Sequence, residues 1–184
     1  MPATAAEEPG GPRLATGRLR LRPVSDADVA VIAELADDPE VAGRTGSIPY
    51  PLSEDEAQAW FRSHLGEEGE TLFAIERTED GAFLGVIGLG VAPGARRGSV
   101  GFWLARPHWG RGYMTEAVAA VLAHAFAAMG LDAVEAEVFN DNAASLRVLE
   151  KAGFRWVGVA ERDFPARGGR RKVVRLERRR PVAP

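Results

Sequence analysis

The chain has 184 residues, 46% of them hydrophobic, and a formal net charge of −3. That is enough apolar material for one sizeable core, and the wrong sign for general nucleic-acid binding. The absence of cysteine excludes a disulfide framework, thiolate metal sites and a cysteine nucleophile.

Three scattered histidines, His64, His108 and His124, lack metal-ligand spacing, so no metal is expected. No apolar stretch approaches the ~18 residues of a membrane span. Residues 1–12 are acidic and lack the apolar segment of a secretory signal. The expectation is a cytoplasmic single domain over 13–178, with a mobile tail at 1–12 and a short tail at 179–184.

In chain order, residues 18–22 alternate apolar and charged side chains, a half-buried strand that Pro23 ends. Ser25, Asp26 and Asp28 supply a cap and acidic first turn for a helix to about residue 35. Residues 43–51 carry two prolines and two glycines and read as a loop. Ser53 and Glu56 form a capping-box pattern opening a second helix with Trp60 and Phe61. Strands follow at 72–76, 83–91 and 99–105, an antiparallel meander turning at Asp80-Gly81 and Pro93-Gly94.

The next helix places Val118, Val121, Leu122, Ala125, Phe126 and Met129 at helical spacing and ends near Gly130. A strand at 134–138, a short helix with Leu146, Val148 and Leu149, and a terminal hairpin complete the order. Strands interleaved with helices predict an α/β (α+β) layer fold, with helices covering a mixed sheet. The C-terminal end is rich in basic residues, from Arg162 to Arg180. It reads as a solvated hairpin or as a surface for RNA, ribosomes or acidic ligands.

Residues 106–117, RPHWGRGYMTEA, join an apolar strand to an apolar-periodic helix through a glycine-containing turn. The first N–H groups of a helix have no internal partner, and the helix dipole adds partial positive charge there. Such a turn suits a phosphate group. Gly110 and Gly112 let backbone approach a ligand closely, and Arg111 adds a cation. A second unit follows at residues 138–154, VFNDNAASLRVLEKAGF.

Together these segments resemble the GNAT superfamily of acetyl-CoA-dependent N-acetyltransferases. The first resembles its R/Q-x-x-G-x-G/A pyrophosphate loop and the second its strand-to-helix unit ending in E-K-x-G-F. Residues 14–28, LATGRLRLRPVSDAD, are similar to the opening of the ribosomal-protein-alanine (Rim-type) branch. The resemblance covers 14–178 and implies a mixed, mostly antiparallel central sheet flanked by helices. Trp109 stands at the R/Q position and Met114 at the final G/A position, both departures, although Trp-Gly-x-Gly-Tyr is typical of the Rim branch.

The resemblance implies acetyl-CoA as co-substrate. The backbone of Gly110, Arg111, Gly112, Tyr113, Met114 and Thr115 would hold its pyrophosphate. The strand backbone at Phe102, Trp103 and Leu104 would hold the pantetheine arm. Relatives often carry a bulge in that strand, which frees an N–H for the thioester carbonyl. Asn142 either contacts pantetheine or caps its helix. The tyrosine that many relatives use as proton donor is replaced by Leu149, so Ser145, Tyr113 or a water must serve, or the proton comes from solvent.

Glu137, five residues before Asn142, resembles the base of one Rim subgroup. Glu135 shares its face, and both also read as plain solvated strand residues. Ser99 stands where relatives often have an acid. Tyr50 and Trp60 are expected to border the acceptor. The implied reaction is direct attack by a primary amine, from a peptide N-terminus or a small molecule, in a ternary complex. A homodimer stays open. The reading from another class is a noncatalytic acyl-CoA sensor or ribosome-associated module.

Overall fold

The computed structural model describes residues 11–65 and 69–181. Most of the expected N-terminal tail lies outside these residues. Among the described residues, one eight-stranded sheet, ordered β1-β2-β3-β4-β5-β6-β8-β7, carries five α-helices. The strands are β1 Leu14–Ala15, β2 Leu19–Pro23, β3 Glu70–Arg77, β4 Phe83–Gly90, β5 Arg97–Leu104, β6 Ala133–Phe139, β7 Arg155–Phe164 and β8 Gly169–Arg179. The helices are α1 Val29–Ala36, α2 Pro39–Ala42, α3 Glu54–Leu65, α4 Tyr113–Ala127 and α5 Ala143–Lys151. All strand pairs are antiparallel except β5 with β6. The mixed, mostly antiparallel sheet is therefore present, with one parallel step where α4 crosses over.

Period-two alternation divides the core between the two faces of the sheet. Phe73, Ile75, Ile87, Leu89 and Val100 pack beneath α4, against Ala117, Val118 and Val121. Leu72, Ala74, Val86 and Trp103 face α1 and α3, against Ile32, Ala36 and Phe61. Both helix starts are fixed by reciprocal caps. Ser25 donates through its N–H and hydroxyl to Asp28, and Ser53 does the same to Glu56.

Burial alone would raise the Asp28 carboxyl. Hydrogen bonds from Arg22 and Ser25 instead hold it below its ordinary value. The Arg22 guanidinium also reaches Glu76, joining β2, β3 and the entry to α1.

Sequence and structure differ in detail. Residues 26–28 form a single 3-10 turn, so α1 proper begins at Val29. Pro23 does end its strand, pairing with Phe73 as the last residue of β2. The short α2 has no apolar period to announce it. Asp38 accepts from Glu40 N at 2.8 Å, and Pro39 sits in the first turn. At the C-terminal end β8 runs to Arg179, and Arg180 donates to the Leu131 carbonyl.

The basic C-terminal end is largely compensated inside the sheet. Arg162 and Arg175 pair with Glu137, Arg170 with Glu161, Arg171 with Asp141, and Arg179 with Glu177. No helix among the described residues is long and apolar enough to cross a membrane.

Candidate active site

The site begins where two strands part. β5 and β6 pair only from Arg97↔Ala133 to Ser99↔Glu135. Beyond Ser99, β5 continues to Leu104 and β6 to Phe139 with no pairing between them. Among the described residues, the edge of β5 from Val100 onward has no strand neighbour on that side. Backbone donors and acceptors left this way require another partner. The β4–β5 register is unbroken from Gly90↔Ser99 to Gly85↔Leu104. Divergence of the strands, not the expected bulge, is what frees these groups. The Trp109 indole closes the far end of the fork by donating to the Leu104 carbonyl at 2.7 Å.

On the α4 side, Gly110 (φ +73°) and Gly112 (φ +80°) turn the chain into the helix, with Gly112 as its N-cap. A Cβ at Gly110 would meet nothing within 4 Å, so the backbone there borders open space. The turn between β1 and β2 clamps this loop. Arg18 donates to the Arg111 carbonyl at 3.1 Å, pairs with Glu116 at 2.7 Å, and lies 4.7 Å from the centre of the Tyr113 ring. The Thr16 hydroxyl and the Arg18 N–H also donate to Glu116. Burial would raise this carboxyl, and those donors lower it.

Thr16, Arg18 and Glu116 were not singled out from sequence, because the contacts span about a hundred positions. Their only signal was a lone acid in the first turn of a helix. His108 closes a 3-10 turn, where burial first, then Arg77 and Arg111, hold its imidazole toward the neutral form.

Asn142 is 3% exposed, follows the end of β6 and lines both cavities described below. Its Oδ1 accepts from Ser145 N at 3.2 Å, and its Nδ2 reaches the Arg44 carbonyl at 3.4 Å. The capping role is therefore built, and the amide also ties α5 to the loop after α2. Leu149 is fully buried in the core.

A cavity opens on each face of the sheet, about 190 Å3 on the α3 side and about 280 Å3 on the α4 side. Arg44, Thr45, Phe102, Trp103, Asn142 and Ser145 line both, so the two meet at the fork. The α4-side cavity brings together Phe102, Trp103, Leu104, Gly110, Gly112, Tyr113, Met114, Thr115 and Asn142. Arg111 does not line it, because its carbonyl is turned to Arg18.

The α3-side cavity holds Glu137 and Trp60. Arg162 holds Glu137 through both oxygens, at 2.7 and 3.1 Å, and Arg175 lies at 3.6 Å. Trp60 donates to Ser47 at 3.1 Å and stacks on His64 at 4.3 Å. Tyr50 lines neither cavity. Its ring is half exposed, beyond the point where the loop turns inward at Ile48. Sequence reading did not single out the residues that roof this side. Arg167 donates to the carbonyls of Thr45 and Ile48, and Phe164 lies over Gly46 and edge-on to Phe139.

The α4 side suits a ligand with a polyanionic end and an amide-bearing arm. Unpartnered helix N–H groups face it together with Arg44, Arg147 and Lys151, and the β5 edge offers ladder-like hydrogen bonds. Comparison with known proteins agrees. Residues 18–155 match the family model described as an acetyltransferase (GNAT) domain. The Bacillus subtilis (strain 168) protein named as the uncharacterized N-acetyltransferase YoaA is 33% identical over 154 residues, covering 80% of this chain and 85% of that protein.

A solved acetyltransferase from T. thermophilus superposes with a TM-score of 0.80 at 28% identity, covering 92% of this chain and 89% of the other. RimJ of Mycobacterium smegmatis, solved with CoA-disulfide, gives a TM-score of 0.77 at 26% identity, covering 92% and 86%. The chain belongs to the GNAT acetyltransferase family and is an acetyl-CoA-dependent N-acetyltransferase.

Proposed function

We propose that the chain acetylates a primary amine, on a peptide N-terminus or a small molecule, by direct attack in a ternary complex on the Rim-type pattern. The observation that carries this reading is the fork at Ser99, reached by a cavity from each face of the sheet. Two substrates can then be held at once and meet edge to edge. The absence of cysteine fits a route without a thiol acyl-enzyme. The similarity to RimJ supports the Rim branch.

Acetyl-CoA supplies an acetyl group activated as a thioester. The N–H groups of residues 110–115, with Arg147 and Lys151, hold phosphate oxygens. The β5 edge at Phe102, Trp103 and Leu104 pairs with the arm and directs an N–H at the developing carbonyl charge. Glu137, oriented by Arg162, takes the ammonium proton through water. An α-amine with a reference pKa of about 7.7–8.0 is already partly neutral near pH 8, so a weak base is enough. Ser145, at the junction of the cavities, relays a proton to the departing sulfur.

Glu137→Gln tests the base. The expected result is a fall in kcat of roughly 10²-fold at pH 7, with partial recovery at high pH. Acetyl-CoA affinity is expected to stay unchanged. Wild-type kcat in this variant would make Glu137 only a strand residue. Release of CoASH across a panel of amines and peptides tests the transfer itself. Tight acetyl-CoA binding without release for any acceptor would favour the noncatalytic sensor.

A further inference from the structure

The chain has four tryptophans, and the fold treats their indole groups differently. Trp60 donates to Ser47 at 3.1 Å, Trp109 donates to the Leu104 carbonyl at 2.7 Å, and Trp156 is 64% exposed. Trp103 is only 6% exposed, and its N–H has no partner among the described residues. A buried donor of that kind is costly unless a ligand supplies an acceptor.

Trp103 stands where a ligand can do so. It lines both cavities, at the fork where they meet. Its neighbour on the same face of β5 is Gly101, which pairs with Gly88 of β4, so this part of the sheet is bare. A Cβ at Gly101 would meet nothing within 4 Å, and the space over it is open. Two residues along a strand span about 7 Å, which an indole side chain can reach across. Phe83, beyond the Leu104 end of the register, packs against the ring at 6.5 Å and leaves the Gly101 side free. Glu137 lines the α3-side cavity together with Trp103 and Gly101.

We infer that Trp103 is a specificity-determining residue, whose indole N–H donates to a carbonyl oxygen of the acceptor, and that the acceptor is an α-amino amide, with amine and carbonyl on one carbon. This rests on the transferase reading above. Glu137 and Trp103 line one cavity of about 190 Å3, so the amine that loses a proton and the oxygen that is held belong to one small group. That oxygen is neutral. A carboxylate would be buried against an uncharged donor, in a cavity that also holds Glu137. A site built around a hydrogen bond rejects an analogue that lacks it, because its own buried group stays unpaired. Simple alkylamines are rejected in this way.

The test compares phenylalaninamide with 2-phenylethylamine, and alaninamide with ethylamine, pairs that differ only in the carboxamide. The peptide Phe-Ala-Ala offers the same carbonyl in a longer chain. The ratio of kcat/KM for amide or peptide over matched amine should fall about tenfold in Trp103→Phe, as for a hydrogen bond lost with one partner left unpaired. Comparing this ratio between the two proteins cancels the difference in amine basicity. In isotope-labelled, CoA-saturated wild-type protein, the indole N–H NMR signal that Trp103→Phe lacks should move downfield with the amides and stay in place with the amines. Should Trp103→Phe not fold, that signal is the one retained in each of Trp60→Phe, Trp109→Phe and Trp156→Phe.

A response to the free amides alone identifies a small-molecule acceptor, and a response to the peptide alone identifies an N-terminus. Equal ratios in the two proteins would overturn the assignment. So would an indole signal that moves alike for amides and amines, or that moves for neither the amides nor the peptide. Failure of the transferase reading looks different: no CoASH would be released with any amine, while the indole signal would still respond to the carbonyl compounds.

Discussion

The two sides of the sheet are built by different means. The α4-side cavity is made largely from two stretches of chain, 102–115 and 142–151, and uses backbone at the β5 edge and the turn into α4. The α3-side cavity draws on the loop after α2, on α3, on β3 to β6 and on the terminal hairpin, and its chemistry is carried by side chains. A backbone site tolerates substitution of its side chains. Trp109 and Met114 depart from the family pattern, yet the turn keeps its shape, and Trp109 acts by holding the Leu104 carbonyl. A side-chain site has no such tolerance, and its specificity can change residue by residue.

This contrast can be broken most directly at Gly101. Valine there adds atoms to space that no protein atom occupies, on a strand that favours β-branched residues. Stability should hold or rise. The acceptor's path to the fork should close, with a roughly 10²-fold loss of acceptor kcat/KM, as expected for misplaced reactants. Intact turnover in a folded Gly101→Val protein would place the acceptor elsewhere.

A smaller effect is expected from Gly112→Ala on the other side. The left-handed conformation at φ +80° costs an alanine about 1–2 kcal/mol, and its Cβ would sit 3.4 Å from the Arg18 guanidinium. Acetyl-CoA Kd should rise roughly tenfold, as that energy corresponds to. Acceptor KM at saturating acetyl-CoA should not move. A change in both constants would mean that the two sides are mechanically coupled.

The same contrast explains what was legible in the sequence. Residues 106–117 and 138–154 are local: a turn, a cap and an apolar period determine each, and all can be read along the chain. The meander, the cap at Ser25 and the capping box at Ser53 were legible for the same reason. The bare pair Gly88 and Gly101 was not, because the two meet only across β4 and β5. Arg167 looked like one more member of a basic run, yet it binds carbonyls about 120 positions away. Asn142 could be read as a cap or as a contact to pantetheine, and the cap is built. One oxygen and one amide nitrogen serve two partners, and only the fold reveals the second, Arg44.

The clamp on the cofactor side offers the mildest test. Glu116 is held below its ordinary value of 4.5 because Thr16 and Arg18 donors outweigh the effect of burial. A carboxyl depressed in the folded state contributes stability above its unfolded value, and that contribution disappears as pH falls through the folded value. Arg18 is half exposed, so solvent screens the pair, and about 1 kcal/mol is a fair magnitude at pH 7.

Glu116→Gln should therefore lower the thermal midpoint modestly at pH 7. The gap to wild type should narrow as pH drops below 4.5, where the wild-type protein loses the same ion pair. Arg18 would also loosen its hold on the Arg111 carbonyl, so acetyl-CoA affinity should weaken by a few-fold at most. A gap in midpoint that stays constant from pH 7 to pH 3 would show that Glu116 acts by packing against the β1–β2 turn. The charge would then be incidental, and the 109–115 turn would owe its shape to Gly112 and Trp109 alone.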